Sequence, residues 1–184
     1  MKDYWYLISS LPTLRIGEKP PMGAEVFRAA CMGWLSEEEL EIIDAVLENR
    51  EPIMTGCVSA WWNGEVQLRD AIVRVRAKNR NTDASPFIQP HDGFSATIEK
   101  MVTDAFTRPD PMEQEMELDR ARWSLIEELT VAAPFSFAAI LAFAVKVRIA
   151  ERWAGMDDET GKEKVEELIE ASLTGDRNEG VVSE

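Results

Sequence analysis

The pattern of apolar and polar positions predicts a helix that begins near Ser36. Ser36 stands three residues before Glu39, the spacing of a capping box in which side chains satisfy the first backbone N–H groups. Apolar side chains then recur at positions i, i+3 and i+7 on one helical face: Leu40, Ile43 and Leu47. Asn49 and Pro52 follow and end the predicted helix.

The aromatic run at residues 4–8 is compatible with a strand or with the first turns of a helix. Short apolar runs do not distinguish the two structures, so both alternatives stay open for this segment. Proline and glycine residues then interrupt the chain: Pro12, Gly17, Pro20 and Pro21.

The pattern of residues 59–78 predicts a longer helix, whose apolar face is formed by Leu68, Ile72 and Val75. The alternation V-R-V-R at residues 73–76 also fits a short strand. The length of the segment favours the helix, as does the Glu65–Arg69 pair at the i, i+4 spacing of helical ion pairs.

Residues 79–93 form the most loop-like stretch and divide the chain into two parts of similar size. We place the only plausible boundary here, between an N-terminal helical half at 1–80, a loop at 81–93 and a C-terminal helical half at 94–173. Residues 174–184 lack apolar periodicity and are predicted to form a disordered tail.

The C-terminal half predicts four helices, at residues 94–106, 112–130, 135–154 and 157–173. The third is apolar on all sides until Lys146, so neighbouring helices must cover it. Six residues are expected in one shared core: Trp123, Ile126, Phe137, Ile140, Leu141 and Leu168. The sequence thus predicts an all-α protein, an irregular helical bundle of about six to seven helices whose two halves could form two lobes. A sheet of four or more strands would contradict this prediction.

The charge balance argues against general affinity for nucleic acid or anionic lipid. The 184 residues include 34 acidic and 20 basic side chains, a formal net charge of −14, and the pI is near 4.6. Two cysteines and the absence of a secretory signal predict reduced thiols and a cytoplasmic protein. The apolar stretch at 131–145 is shorter than the roughly twenty residues of a membrane-spanning helix.

Few residues suggest catalysis or a cofactor. His91 is the single histidine, and neither Glu-x-x-His nor closely spaced thiols accompany it, so a turn residue is favoured over a metal ligand. The pair Gly161–Lys162 fails as a phosphate loop, because Met156 and Glu163 occupy positions that require glycine and Ser or Thr. We therefore expect no catalytic residue, no metal and no cofactor, and the isolated chain should bind neither zinc nor ATP.

The acidic residues fit solvated helix faces. Two groups stand out, one in each half: Glu37, Glu38, Glu39 and Glu41, then Glu113, Glu115 and Glu117. The first three lie in the first turn of a predicted helix, where carboxylates interact favourably with its dipole.

A basic cluster runs against the overall charge. Five bases follow one another against a single acid, Asp70, and are the candidate partner-binding residues: Arg69, Arg74, Arg76, Lys78 and Arg80. They could meet an acidic partner or the acidic helices of the same fold, and electrostatic complementarity serves both equally. Nucleic acid is disfavoured, because no aromatic residue is interleaved with these bases.

Two segments carry a resemblance to a known family. One is W-W-N-G-E-V-Q-L-R-D at 61–70, and the other runs from L-D-R-A-R-W at 118–123 to E-R-W at 151–153. Together with residues 4–12, they resemble an uncharacterised bacterial family that is encoded with V/A-type ATPases. That family looks like a shortened form of the stalk-seating C protein of these ATPases (the d protein in eukaryotes), the all-helical socket that seats the central rotor stalk on the membrane ring.

The resemblance implies a non-enzymatic subunit or accessory protein that contacts V/A-type ATPase subunits of the central stalk or membrane ring. It would lie in the cytoplasm, peripherally at the inner membrane through the ATPase. The alternatives are a transient soluble assembly factor and, less favoured, a small enzyme. Within these segments arginines are the better functional candidates, although arginines that bridge helices through carboxylates are equally common: Arg69, Arg120, Arg122, Arg148 and Arg152.

Overall fold

The computed structural model describes residues 4–156, which form seven α-helices and one 3-10 turn without a strand. The helices follow in chain order: α1 Trp5–Ser10, α2 Ala24–Cys31, α3 Glu37–Leu47, α4 Gly56–Arg80, α5 Ala96–Ala105, α6 Pro111–Val131 and α7 Phe137–Ala154. The 3-10 turn, Ser85–Phe87, lies in the loop between α4 and α5. The prediction of an all-α fold is confirmed. The predicted helix at 157–173, which includes Leu168, and the predicted tail at 174–184 lie outside the described residues.

Local sequence signals account for the ends of α3 and α4. Ser36 Oγ accepts a hydrogen bond from the Glu39 backbone N–H, and Glu39 Oε2 accepts one from the Ser36 N–H at 2.8 Å, which completes the capping box. At the end of α4, Asn81 adopts a left-handed conformation with φ of 52°, and its N–H donates to the carbonyl of Ala77. Helix α4 continues through the V-R-V-R segment, so the helical alternative is confirmed there.

Residues 4–156 form two core clusters, and the larger one surrounds α7. Ten of the eighteen residues of this helix are buried, and it contacts α2, α3, α4 and α6. Ile126, Ile140 and Leu141 lie in this cluster, and Trp123 and Phe137 pack against it, as the sequence predicted. None of the helices in residues 4–156 combines the length and the apolar character needed to cross a bilayer.

A second cluster joins the later part of α4 to α5 and α6. Its buried residues come from all three helices: Leu68, Ala71, Ile72, Ile98, Val102, Ala105, Leu118 and Ala121. The earlier part of α4 contributes Val58 and Trp61 to the larger cluster instead. Helix α4 therefore belongs to both clusters, and each cluster draws residues from both sides of the loop at 81–93.

The loop before α5 is fixed to α4 by a polar stripe of side chains. Gln67 exchanges two hydrogen bonds of 3.1 Å with the backbone of Ser95, and Asp70 Oδ1 accepts one from the Gln89 N–H at 3.2 Å. Gln67 and Asp70 are both buried, and these contacts satisfy the loop backbone that they face.

Burial of Cys31 predicts a pH dependence of stability. Desolvation raises the pKa of this fully buried thiol to about 12, above the value of about 8.5 for a free thiol. Between these values the unfolded chain has lost the thiol proton and the folded chain has kept it, so the free energy of unfolding falls as pH rises above about 8.5. Urea unfolding from about pH 7 to about pH 10 should show a steeper fall for the unmodified protein than for Cys31→Ala, and equal slopes would contradict this assignment.

Candidate functional site

A charged cleft lies where α3, α4, α6 and α7 meet. Its volume is about 650 Å³, and four arginines line it: Arg69 of α4, Arg122 of α6, and Arg148 and Arg152 of α7. Two buried carboxylates, Glu65 and Asp119, lie among them. Residues that are far apart in the sequence thus form one cluster of charges.

Glu65 joins α4 to α6. Its side chain is only 4% exposed, and Oε1 accepts hydrogen bonds from Arg69 Nε at 2.8 Å and from Arg122 Nε at 3.2 Å. The first contact is the i, i+4 pair that the sequence predicted. Hydrogen bonds to charged donors offset the cost of burying the carboxylate.

Asp119 joins α6 to α7. Its side chain is 1% exposed, and it accepts hydrogen bonds from Arg122 Nη1 at 2.9 Å and from Trp153 Nε1 at 2.8 Å. Arg152 Nη2 also donates to this carboxylate. With Glu65, this residue ties the three long helices together around the central guanidinium of Arg122.

The pKa of Arg122 follows from this environment. Burial alone would lower it, but the charges of Glu65 and Asp119 and their hydrogen bonds outweigh burial and raise it. Arg122 therefore stays charged.

Arg148 differs from the other three arginines because it is held by neutral groups. Its Nη1 donates at 2.9 Å to the carbonyl of Val46 and, also at 2.9 Å, to Oδ1 of Asn49, at the C-terminal end of α3. Within residues 4–156 no carboxylate lies within ion-pair distance of it. Burial, assisted by Arg122 and Arg69, lowers the pKa of Arg148 more than Glu65 and Asp119 raise it.

The five predicted partner-binding bases have different environments. Arg69 lines the cleft, Arg74 pairs with Glu99 of α5 at 2.6 Å, and Arg76 pairs with Glu115 of α6 at 2.8 Å. Lys78 and Arg80 are exposed at the end of α4 and form no ion pair within the described part of the chain. Three of the five bases thus meet acids of the same fold, and the partner-binding role of the cluster stays a prediction.

The remaining candidates lie outside the cleft. Arg120 pairs with Glu117 at 2.8 Å on the surface of α6. His91 Nε2 lies 3.9 Å from Asp70 Oδ2, which is too long for a hydrogen bond. In residues 4–156 no group of three or more His, Cys, Asp or Glu side chains is arranged to hold a metal ion.

Sequence reasoning missed the three buried carboxylates Glu65, Asp70 and Asp119. Each of them carries a local signal, because an arginine follows Glu65 and Asp70 by four residues and Asp119 by three, the spacings of helical ion pairs. That spacing is equally common on solvated faces, so it does not reveal burial. The contact that joins two of these pairs in one cluster, from Arg122 to Glu65, spans 57 positions of the chain.

Comparison with known proteins gives one family match. The model of a family described as a protein of unknown function (DUF2764) matches residues 97–175. Within the described part of the chain this match covers α6, α7 and almost all of α5, and it includes Asp119, Arg122, Arg148 and Arg152 but not Glu65 or Arg69. No curated protein and no solved structure matches the chain.

Proposed function

We propose that this protein is a non-enzymatic subunit or accessory protein of a bacterial V/A-type ATPase that acts through protein contacts in rotor-stalk coupling or assembly. The observation that carries the proposal is the resemblance of the segments at 4–12, 61–70 and 118–153 to proteins encoded with these ATPases. The chain would then lie in the cytoplasm, peripherally at the inner membrane through the ATPase.

The arrangement of the two longer segments supports the proposal. Glu65 and Arg69 come from the first, and Asp119, Arg122 and Arg152 come from the second. Their charges meet and tie α4, α6 and α7 together, and the segments also supply core residues, among them Trp61, Leu68, Ile126 and Leu141. A rigid helical scaffold of this kind suits a protein that positions other proteins.

The surface supports a role in protein contacts as well. Tyr6 and Trp34 stack with ring centroids 5.2 Å apart and remain 62% and 44% exposed. Aromatic side chains are enriched at protein interfaces. Under the proposal, this aromatic pair and the basic end of α4 are two faces that other proteins of the ATPase could cover.

Affinity purification of the tagged full-length protein from the cell that encodes it tests the proposal. We expect subunits of the V/A-type ATPase to co-elute, identified by mass spectrometry. Recovery only with unassembled subunits would favour a transient assembly factor. Co-elution without any of the ATPase subunits would contradict both alternatives.

A charge reversal at the end of α4 tests the basic surface. Since Lys78 and Arg80 are exposed and have no ion pair in residues 4–156, Lys78→Glu combined with Arg80→Glu should leave the helix content unchanged. Capture of ATPase subunits should weaken, mainly through a slower association rate, and binding by the unmodified protein should weaken as salt screens the charges. Surface plasmon resonance with the captured ATPase protein measures both effects.

The matched control reverses Arg15 and Lys19, which are exposed in the segment before α2 and change the net charge by the same amount. Normal association of the folded Lys78/Arg80 variant would place the contact elsewhere on the protein. Arg74→Glu is unsuitable for this test, because it sets a third carboxylate beside Asp70 and Glu99 and should disturb the fold itself.

A further inference from the structure

We propose that the arginine-lined cleft is a binding site for a compact oxyanion of the size of phosphate or pyrophosphate. This inference concerns a ligand, and it does not depend on the identity of a protein partner. It rests on unused hydrogen-bond donors, on an arginine that has no acidic partner within residues 4–156, and on the size and lining of the cleft.

The guanidinium groups keep donors that the fold does not use. Within the part of the chain that the structure describes, Arg148 donates hydrogen bonds only through Nη1 and Arg69 only through Nε, while the Arg69 guanidinium also lies over the Trp62 ring, 5.1 Å from its centroid. The other guanidinium N–H groups of Arg148 and Arg69 donate no hydrogen bond within the described residues, and both side chains line the cleft. Each guanidinium has five donors in a planar fork that suits phosphate oxygens, so the cleft offers several charge-assisted hydrogen bonds to one anion.

The ion pairs of the cleft leave one of its arginines without an acidic partner. Four arginines and four carboxylates line it. Glu65 and Asp119 accept hydrogen bonds from three of the arginines, and the other two carboxylates have contacts elsewhere, since Glu48 pairs with Arg50 at 2.5 Å and Glu151 accepts a hydrogen bond from the Ala24 N–H at 2.8 Å. Within residues 4–156 only Arg148 among the four has no carboxylate at ion-pair distance, so a bound anion would supply the missing partner.

Arg148 is the residue that a bound anion would satisfy most directly. It is partly buried and lacks an acidic partner within residues 4–156, and its pKa is lowered by burial and by the other arginines. A neighbouring anion would reverse this lowering, because it favours the charged form of the group.

The size and lining of the cleft define the ligand class. A volume of about 650 Å³ falls within the range of small-molecule sites, about 300–1,000 Å³. Leu47 and Ile149 are the apolar residues of the lining, and among the described residues no aromatic side chain belongs to it. The cleft thus favours a small, strongly charged ligand over one that carries a nucleobase, which would need a stacking surface.

Isothermal titration of the full-length protein with pyrophosphate tests the site at constant ionic strength. We expect one saturable site per chain with a Kd below about 1 mM, and weaker binding of inorganic phosphate. The sequence predicts no ATP site, so any binding of ATP should come from its phosphates alone, and ATP should bind no more tightly than tripolyphosphate. Absence of saturable binding at about 10 mM pyrophosphate would overturn the proposal, and ATP binding more than about tenfold tighter than tripolyphosphate would overturn the ligand class.

Variants locate the site. Arg148→Gln should weaken pyrophosphate binding about tenfold or more, since it removes a charged donor. Arg120→Gln is the control, because it removes the same charge from an exposed arginine outside the cleft and should change the Kd less than about twofold. If both variants weaken pyrophosphate binding equally, the effect comes from the overall charge of the protein, and the assignment of the site to the cleft is overturned.

A second variant covers the case in which Arg148→Gln disturbs the C-terminal end of α3. Arg69→Gln removes a 37% exposed side chain and leaves Glu65 paired with Arg122. It should keep the helical circular dichroism spectrum and weaken pyrophosphate binding by a similar factor. Unchanged binding by folded Arg69→Gln would overturn the assignment of the cleft.

Discussion

Replacing Asp119 with alanine is expected to lower the free energy of unfolding by about 3–5 kcal/mol, the range measured when one partner of a buried ion pair is removed. This carboxylate is 1% exposed and accepts hydrogen bonds from Arg122 and Trp153. Without it, Arg122 retains one buried acidic partner, Glu65, and α6 and α7 lose their buried polar contact, although the ion pair of Lys146 with Glu127 and the apolar packing between them remain. Urea unfolding followed by circular dichroism measures the change.

Glu117→Gln provides the matched control on the same helix. Glu117 pairs with Arg120 and Arg108 at the surface, and exposed ion pairs of this kind contribute about 0–1 kcal/mol. If Asp119→Ala lowers the free energy of unfolding no more than Glu117→Gln does, the buried cluster does not hold the helices together. Asp119→Asn, which keeps the shape and loses the charge, should fall between the two.

Phe27→Ala is expected to cost about 3–5 kcal/mol, as is usual when a buried phenylalanine leaves a cavity. Phe27 is fully buried, and its ring centroid lies 4.7 Å from that of Phe143 on α7. The substitution removes this aromatic contact between the short helix α2 and α7. Thermal and urea unfolding should both show the lower stability of Phe27→Ala.

The neighbouring Val26→Ala is the control, since Val26 is 60% exposed on the same helix and should change stability by less than about 0.5 kcal/mol. Equal effects of the two substitutions would mean that α2 is not docked through Phe27.

Helices with strong local signals were predictable from the sequence. The capping box of Ser36 and Glu39 marks the start of α3, and the apolar stripe through Leu68 and Ile72 marks α4. The apolar composition of α7 required burial on all sides, and that helix lies at the centre of the larger cluster. In each case the physical cause acts within a few residues along the chain.

Helix α2 was not predicted, because its stability comes from distant contacts. It has eight residues, and its buried residues are only Phe27 and Cys31, which is too few for a recognisable stripe. Its docking involves Phe143, and Glu151 of α7 accepts a hydrogen bond from its first N–H group. Those partners follow more than 100 positions later in the chain.

The candidate site could be predicted only in part, for a similar reason. The sequence indicated arginines as candidates, and four of the five named in the resembling segments line one cleft. The burial of Glu65 and Asp119 depends on how α4, α6 and α7 pack, and local spacing does not encode that packing. Likewise, the pairing of Arg74 with Glu99 and of Arg76 with Glu115 depends on which helices become neighbours.

Purification of the intact ATPase through one of its other subunits tests the central proposal most directly. Quantitative mass spectrometry of the complex should find this chain at a fixed, whole-number ratio to the catalytic subunits, and the ratio should persist through size-exclusion chromatography. Absence of the chain from an otherwise complete complex would contradict its assignment to the ATPase as a permanent component.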